Sequence, residues 1–250
     1  MAVRIIVIEH EDGTDVRRFG RWLEDAGAVL DVRRPYREVR SCGAVDRDAA
    51  LAHLPTREEL RAPGVGLVVL GGQAGPMDDE RNPWFPAARD LLLGSVAEEF
   101  ASVNICLGGE MLAEALGRPV VHRDVPQVGL KTARRRAEVA DDPLFGHLPA
   151  EFPVVLWHGL QMNLPDGAAH LVDGTDAPVQ AFRVGSAWGT QFHLEADADL
   201  LRGWAKDGPS LPDGLSVEEV VTPVAEAEPA LEAAMRPVAQ AFVELLAAEV

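Results

Sequence analysis

Cys106, His193 and Glu195 have the side-chain types and the spacing needed for nucleophilic acyl chemistry. Cys106 closes an apolar run that begins at Phe100, and Leu107, Gly108 and Gly109 follow it. Met111, Leu112, Ala115 and Leu116 then fall at helical spacing. This order predicts a strand, a sharp turn and a helix with a thiol at the corner, which is the geometry of a nucleophile elbow. A thiol attacks as thiolate, with a free pKa near ~8.5, and the unpaired N–H groups of a helix start favour that anion. The N–H of Leu107 points to where an oxyanion would form. Gly108 leaves room for a substrate carbonyl to approach. Read alone, the stretch is equally compatible with a structural cysteine on a core strand.

The segment Gly189-Thr190-Gln191-Phe192-His193-Leu194-Glu195 supplies the partners. On extended chain, positions i and i+2 face the same way, so His193 and Glu195 project together as a base and its orienting carboxylate. With the elbow thiol they make a candidate triad. A second loop bears on the same chemistry. Gly71 and Gly72 follow the apolar run 66–70 directly, which lets backbone N–H groups face a ligand at a strand's C-terminal edge. No Lys-Ser/Thr pair follows, so this is not a phosphate loop.

Regular elements must hold these groups. Residues 3–8 read as a buried strand, 14–26 as a helix capped by Thr14, and 28–32 as a second strand. This βαβ opening predicts a parallel sheet with covering helices. Residues 33–64 are irregular, with a short helix near 46–54, and Cys42 falls there without a helix start beside it. A helix is expected over 86–100, and short strands alternating with loops over 117–148. The basic cluster 131–136 reads as a solvated edge strand. Further strands are expected over 152–157, 180–184 and 187–192, then an acidic helix over 197–206. Residues 207–250 form a Pro/Ala/Glu-rich linker and a helix starting at Pro229 or Ala230, with Leu231, Met235, Val238, Phe242 and Leu245 as its apolar stripe. That stripe docks on the domain or on a neighbouring subunit.

Composition narrows the class. The 250 residues, 47% hydrophobic, can bury a full core. No 18-residue apolar run suggests a membrane span, and the N-terminus lacks a signal-peptide pattern, so a cytoplasmic protein is expected. Two cysteines make neither a disulfide framework nor a metal site. A net charge of −17 disfavours nucleic acid as a partner.

Taken together, the motifs resemble the class I glutamine amidotransferase domain over about residues 3–205. They are Leu70-Gly71-Gly72, Pro76-Met77, Asn82-Pro83-Trp84-Phe85, Ile105-Cys106-Leu107-Gly108, Trp157-His158-Gly159, Leu164-Pro165-Asp166-Gly167-Ala168, Gln180-Ala181-Phe182-Arg183 and Gln191-Phe192-His193-Leu194-Glu195. The resemblance implies an α/β fold over residues 1–206: a three-layer, doubly wound, mostly parallel sheet flanked by helices, flavodoxin-like, with a C-terminal helical extension. It implies that Cys106 attacks the side-chain amide of glutamine, His193 serves as base and then acid, and Glu195 holds His193. The N–H groups of Gly72 and Leu107 would bind the oxyanion, and Gly71, Glu110 and His158 would line the substrate pocket. A γ-glutamyl thioester would form and be hydrolysed without cofactor or metal, and the ammonia would pass to a synthase partner. The resemblance leaves room for a homodimer.

Several positions depart from the family pattern. Asn104 stands where glycine is usual, Glu110 where glutamine is, Gln127 where glutamate is, Leu160 where aspartate is and Leu194 where proline is. These changes leave three readings: a glutaminase subunit feeding a synthase, a stand-alone γ-glutamyl amide or peptide hydrolase or transferase, and a catalytically silent scaffold.

Overall fold

Uninterrupted apolar strands need cover on both faces, and the arrangement of the elements provides it. The computed structural model describes residues 2–38, 45–207 and 211–250; Cys42 lies outside them. In chain order the first elements are β1 (Arg4–Ile8), α1 (Arg17–Asp25), β2 (Val29–Arg33), α2 (Arg47–Ala52), α3 (Arg57–Leu60), β3 (Val65–Val69), α4 (Phe85–Val96), β4 (Ser102–Ile105) and α5 (Leu107–Ala115). There follow β5 (Val121–Arg135), β6 (Glu151–Gln161), β7 (Ala169–Asp173), β8 (Val179–Val184), β9 (Ala187–Thr190), α6 (Ala198–Asp207), α7 (Val217–Glu226) and α8 (Glu228–Ala247).

The strands form one sheet in the order β2-β1-β3-β4-β9-β8-β7-β5-β6. Neighbours are parallel from β2 to β9 and antiparallel beyond. One face of the parallel half packs Phe19 and Trp22 of α1 and Met235, Phe242 and Leu246 of α8. The other face packs Phe85 and Leu92 of α4 and Met111 and Leu112 of α5. A third cluster joins Leu200 and Leu201 of α6 and Val220 and Val224 of α7 to Val128 of β5 and Val155 of β6. The expected three layers are therefore present, and the helical extension is built into them.

Local readings differ from the structure in a few places. Thr14 does not cap α1, whose N-cap is Val16; the Thr14 hydroxyl donates instead to the Glu11 carbonyl at 3.0 Å. Residues 121–135 form one long strand, not several short ones, because a bulge between His122 and Gln127 absorbs Pro126. The basic cluster is not at the sheet edge, since β5 runs between β7 and β6. Its charges are spent on neighbours, with Arg134 paired to Glu151 and Arg136 to Glu138 and Asp173. The tail holds two helices, α7 opening on a capping box between Ser216 and Glu219. On α8, Leu246 takes the fully buried place expected of Leu245.

Candidate active site

The elbow is built where β4 ends. Cys106 has φ +49° and ψ −106°, a backbone region that costs an L-residue roughly 1–3 kcal/mol. Hydrogen bonds on both sides over-determine it: the Cys106 N–H donates to the Thr190 carbonyl at 2.7 Å, and the Cys106 carbonyl accepts from the Glu110 N–H at 2.8 Å. The glycines that follow let the first turn of α5 rest on strand backbones. A Cβ on Gly108 would stand 2.4 Å from the Val69 carbonyl oxygen, and one on Gly109 2.8 Å from that of Thr190. Gly108 is thus required for helix-on-strand contact, not for the approach of a substrate carbonyl. Asn104 has no positive φ; it lies within β4 and donates through Nδ2 to Ser102 Oγ at 2.9 Å and to the Trp188 carbonyl at 3.0 Å.

The parallel pairing of β4 with β9 places Ile105 opposite Thr190, and this register brings the His-x-Glu segment to the thiol. The His193 N–H donates to the Val155 carbonyl at 2.9 Å, which pins the segment to β6. His193 Nδ1 lies 2.7 Å from Glu195 Oε1, and both side chains are buried. Burial alone would lower the His193 pKa, but the Glu195 carboxylate and the Cys106 sulfur outweigh it and hold the imidazole well above its ordinary value. For Cys106, burial pushes the thiol up, opposed by the nearby charge of His193. Trp204 of α6 packs on the imidazole at 4.7 Å between ring centroids, and its indole N–H donates to the Gly13 carbonyl at 2.8 Å.

Cys106 and His193 open onto one cleft of about 490 Å³. Gly72 lines it, and a Cβ there would come within 2.9 Å of Leu107 Cδ2, so the two expected oxyanion residues adjoin. Neither of their N–H groups has an acceptor among the described residues. Glu110 and His158 line the cleft, whereas Gly71 lies behind it, where a Cβ would stand 3.1 Å from His193 Cε1. Burial raises the Glu110 pKa to about 7, offset in part by Gln191. Burial pushes His158 down to about 4, so the ring donates from one nitrogen only; Nδ1 lies 2.5 Å from the Leu160 carbonyl oxygen and Nε2 2.9 Å from Gln127 Oε1. His158 is therefore a neutral wall group already committed to protein partners.

The glutamine amidotransferase class-I family model matches residues 55–201. The chain belongs to the class-I glutamine amidotransferase family. A glutamine amidotransferase-like protein of Salmonella typhimurium, YfeJ, is 26% identical over 205 residues, 80% of this chain and 79% of that protein. The GMP synthase of Thermomicrobium roseum is 30% identical over 184 residues, 68% of this chain but only 32% of that protein. Among solved structures, a glutamine amidotransferase from Thermotoga maritima superposes with a TM-score of 0.78 at 21% identity, covering 98% of this chain and 99% of that one. One from Methylobacillus flagellatus gives 0.79 at 21% identity, covering 98% and 95%. These likenesses bear out the fold, and membership places the chain among enzymes that hydrolyse glutamine-type amides. Among the described residues, no helix of this amidotransferase is long and apolar enough to cross a membrane.

Two site residues escaped sequence reasoning. Gln191 accepts the Met162 N–H at Oε1 (2.8 Å) and donates from Nε2 to Glu110 Oε1 at 2.9 Å, locking the cleft carboxyl in place. Trp204 carried no signal beyond an aromatic on a helix. For Gln191 the usable signal was its place two residues before His193, on the opposite side of the buried Phe192.

Proposed function

We propose that this amidotransferase is a cysteine-dependent hydrolase of γ-glutamyl carboxamides, acting through a thioester on Cys106. Cys106 at the elbow beside the His193–Glu195 pair is the observation that carries this reading. His193 takes the thiol proton, Cys106 Sγ attacks the amide carbon, and the N–H groups of Gly72 and Leu107 receive the oxyanion. His193 then protonates the leaving nitrogen and next activates the water that releases glutamate. Glu195 holds the imidazole in place and balances its charge.

On the reading that the GMP synthase relatives support, the substrate is free glutamine and a synthase partner receives the ammonia. A second reading, a stand-alone hydrolase of substituted γ-glutamyl amides, is favoured by Glu110, a carboxyl in the cleft wall where the family pattern has glutamine. The test is intact-protein mass spectrometry after mixing with glutamine and with γ-glutamyl amides. A γ-glutamyl adduct on the wild-type chain, absent from a folded and inactive Cys106→Ala variant, is expected. Turnover retained in Cys106→Ala would overturn the assignment.

A further inference from the structure

The cleft is lined by more acidic groups than the triad uses. Glu11, Asp78, Glu110 and Glu114 line it, and among the described residues neither lysine nor arginine does. Three of these carboxylates have neutral protein partners: Glu11 accepts from the Gln73 N–H, Glu110 from the Gln191 amide and Glu114 from the Val120 N–H. Asp78 meets Arg81 at 3.8 Å, an ion pair whose arginine is 85% exposed. The indoles of Trp157 and Trp204 line the same cleft, edge to face with centroids 5.8 Å apart. Beside Cys106, the buried His193 Nε2 makes no hydrogen bond of ordinary geometry among the described residues, so it is free to exchange a proton with the thiol and with a leaving nitrogen.

Carboxylates and aromatic faces together are what a cation seeks: the charges attract it, and the ring quadrupoles replace part of its hydration. The volume of about 490 Å³ lies within the range of sites for drug-sized ligands, roughly 300–1,000 Å³, which leaves room for more than a primary carboxamide. We propose that the cleft selects γ-glutamyl amides whose amine half ends in a free ammonium group, and that the product released beside glutamate is a diamine or polyamine. This rests on the thioester reading above. The bonds balance without any oxidant or reductant. The Sγ–C bond forms as the C–N bond breaks, the leaving nitrogen takes the proton held on His193 Nε2, and water then cleaves the thioester to glutamate and restores the thiol.

The experiment compares kcat/KM of the full chain for glutamine, γ-glutamylbutylamide, and the same butyl amide ending in an ammonium or in a carboxylate. The ammonium-ended amide is expected to exceed the neutral one by about tenfold, with the carboxylate-ended amide poorest. High salt should shrink that preference, as should Glu114→Gln, which keeps an acceptor for the Val120 N–H. Equal rates across the series, preference for the carboxylate, or preference for free glutamine would overturn the proposal while leaving the thioester chemistry standing. Failure of every amide to turn over or to label Cys106 would remove the thioester reading, and this proposal with it.

Discussion

At the residue scale, two buried ionisable groups of the proposed site, His193 and Glu110, each have a measurable signature. His193 is held above its ordinary pKa chiefly by Glu195, against the pull of burial. Its imidazolium therefore adds stability that is fully present below the ordinary histidine range and is lost as pH rises through the raised value. Glu195→Gln should lower the His193 pKa in an NMR titration and reduce kcat by about 10²- to 10⁴-fold without abolishing it. The stability advantage of the wild type over this variant should shrink as pH climbs. Glu110 has the same sign for a different reason: burial disfavours its charged form, where His193 is held charged by a partner. Its carboxyl, raised to about 7 by burial, binds a proton in the folded chain that the unfolded chain has already released above the usual carboxylate range. Stability is lost as pH rises through that window, so Glu110→Gln should gain stability relative to wild type between about pH 5 and about pH 8. Urea unfolding at the two pH values measures it.

Glycine positions separate, at the scale of elements, those that are required from those that are not. The first turn of α5 lies so close to β3 that a methyl group at position 108 would meet the Val69 carbonyl oxygen at 2.4 Å. Gly108→Ala should cost on the order of 1–3 kcal/mol and should reduce turnover further by shifting the elbow. A methyl group added to Gly203, in the middle of α6, would meet nothing within 4 Å. Gly203→Ala should therefore stabilise the chain by about 0.5–1 kcal/mol through helix propensity alone. Thermal unfolding of the two variants tests both signs. The same distinction explains why the paired glycines at the elbow were legible in the sequence while their purpose was not. Spacing announces a sharp turn, but only the neighbouring strand shows what the turn must clear.

Across the whole molecule, the last helix packs into the same core as the sheet that carries the proposed triad. Phe242 is fully buried in the same core cluster as Val7, Val68 and Cys106. Arg18 of α1 reaches from the Leu194 carbonyl at 3.3 Å to Glu228 of α8 at 2.7 Å, so the segment bearing His193 and Glu195 is tied to the last helix. Phe242→Ala should cost about 3–5 kcal/mol, and unfolding should stay a single transition in which the last helix and the sheet melt together. Circular dichroism alongside tryptophan fluorescence would reveal two transitions if α8 were a separate unit.

What the sequence determined by itself was local: apolar runs long enough for β1, β3 and β4, a thiol between a strand and a helix, and a histidine and glutamate two residues apart on extended chain. Those signals depend on periods of two or 3.6 residues and survive without knowledge of the rest of the chain. Tertiary structure alone decided what distant segments do to one another. The register of β4 on β9 brings His193 to Cys106, Gln191 grips Glu110, Trp204 covers the imidazole and β5 runs unbroken through its proline. Each of these depends on through-space packing between segments far apart in the chain, and no local pattern encodes which of many apolar or polar side chains will meet.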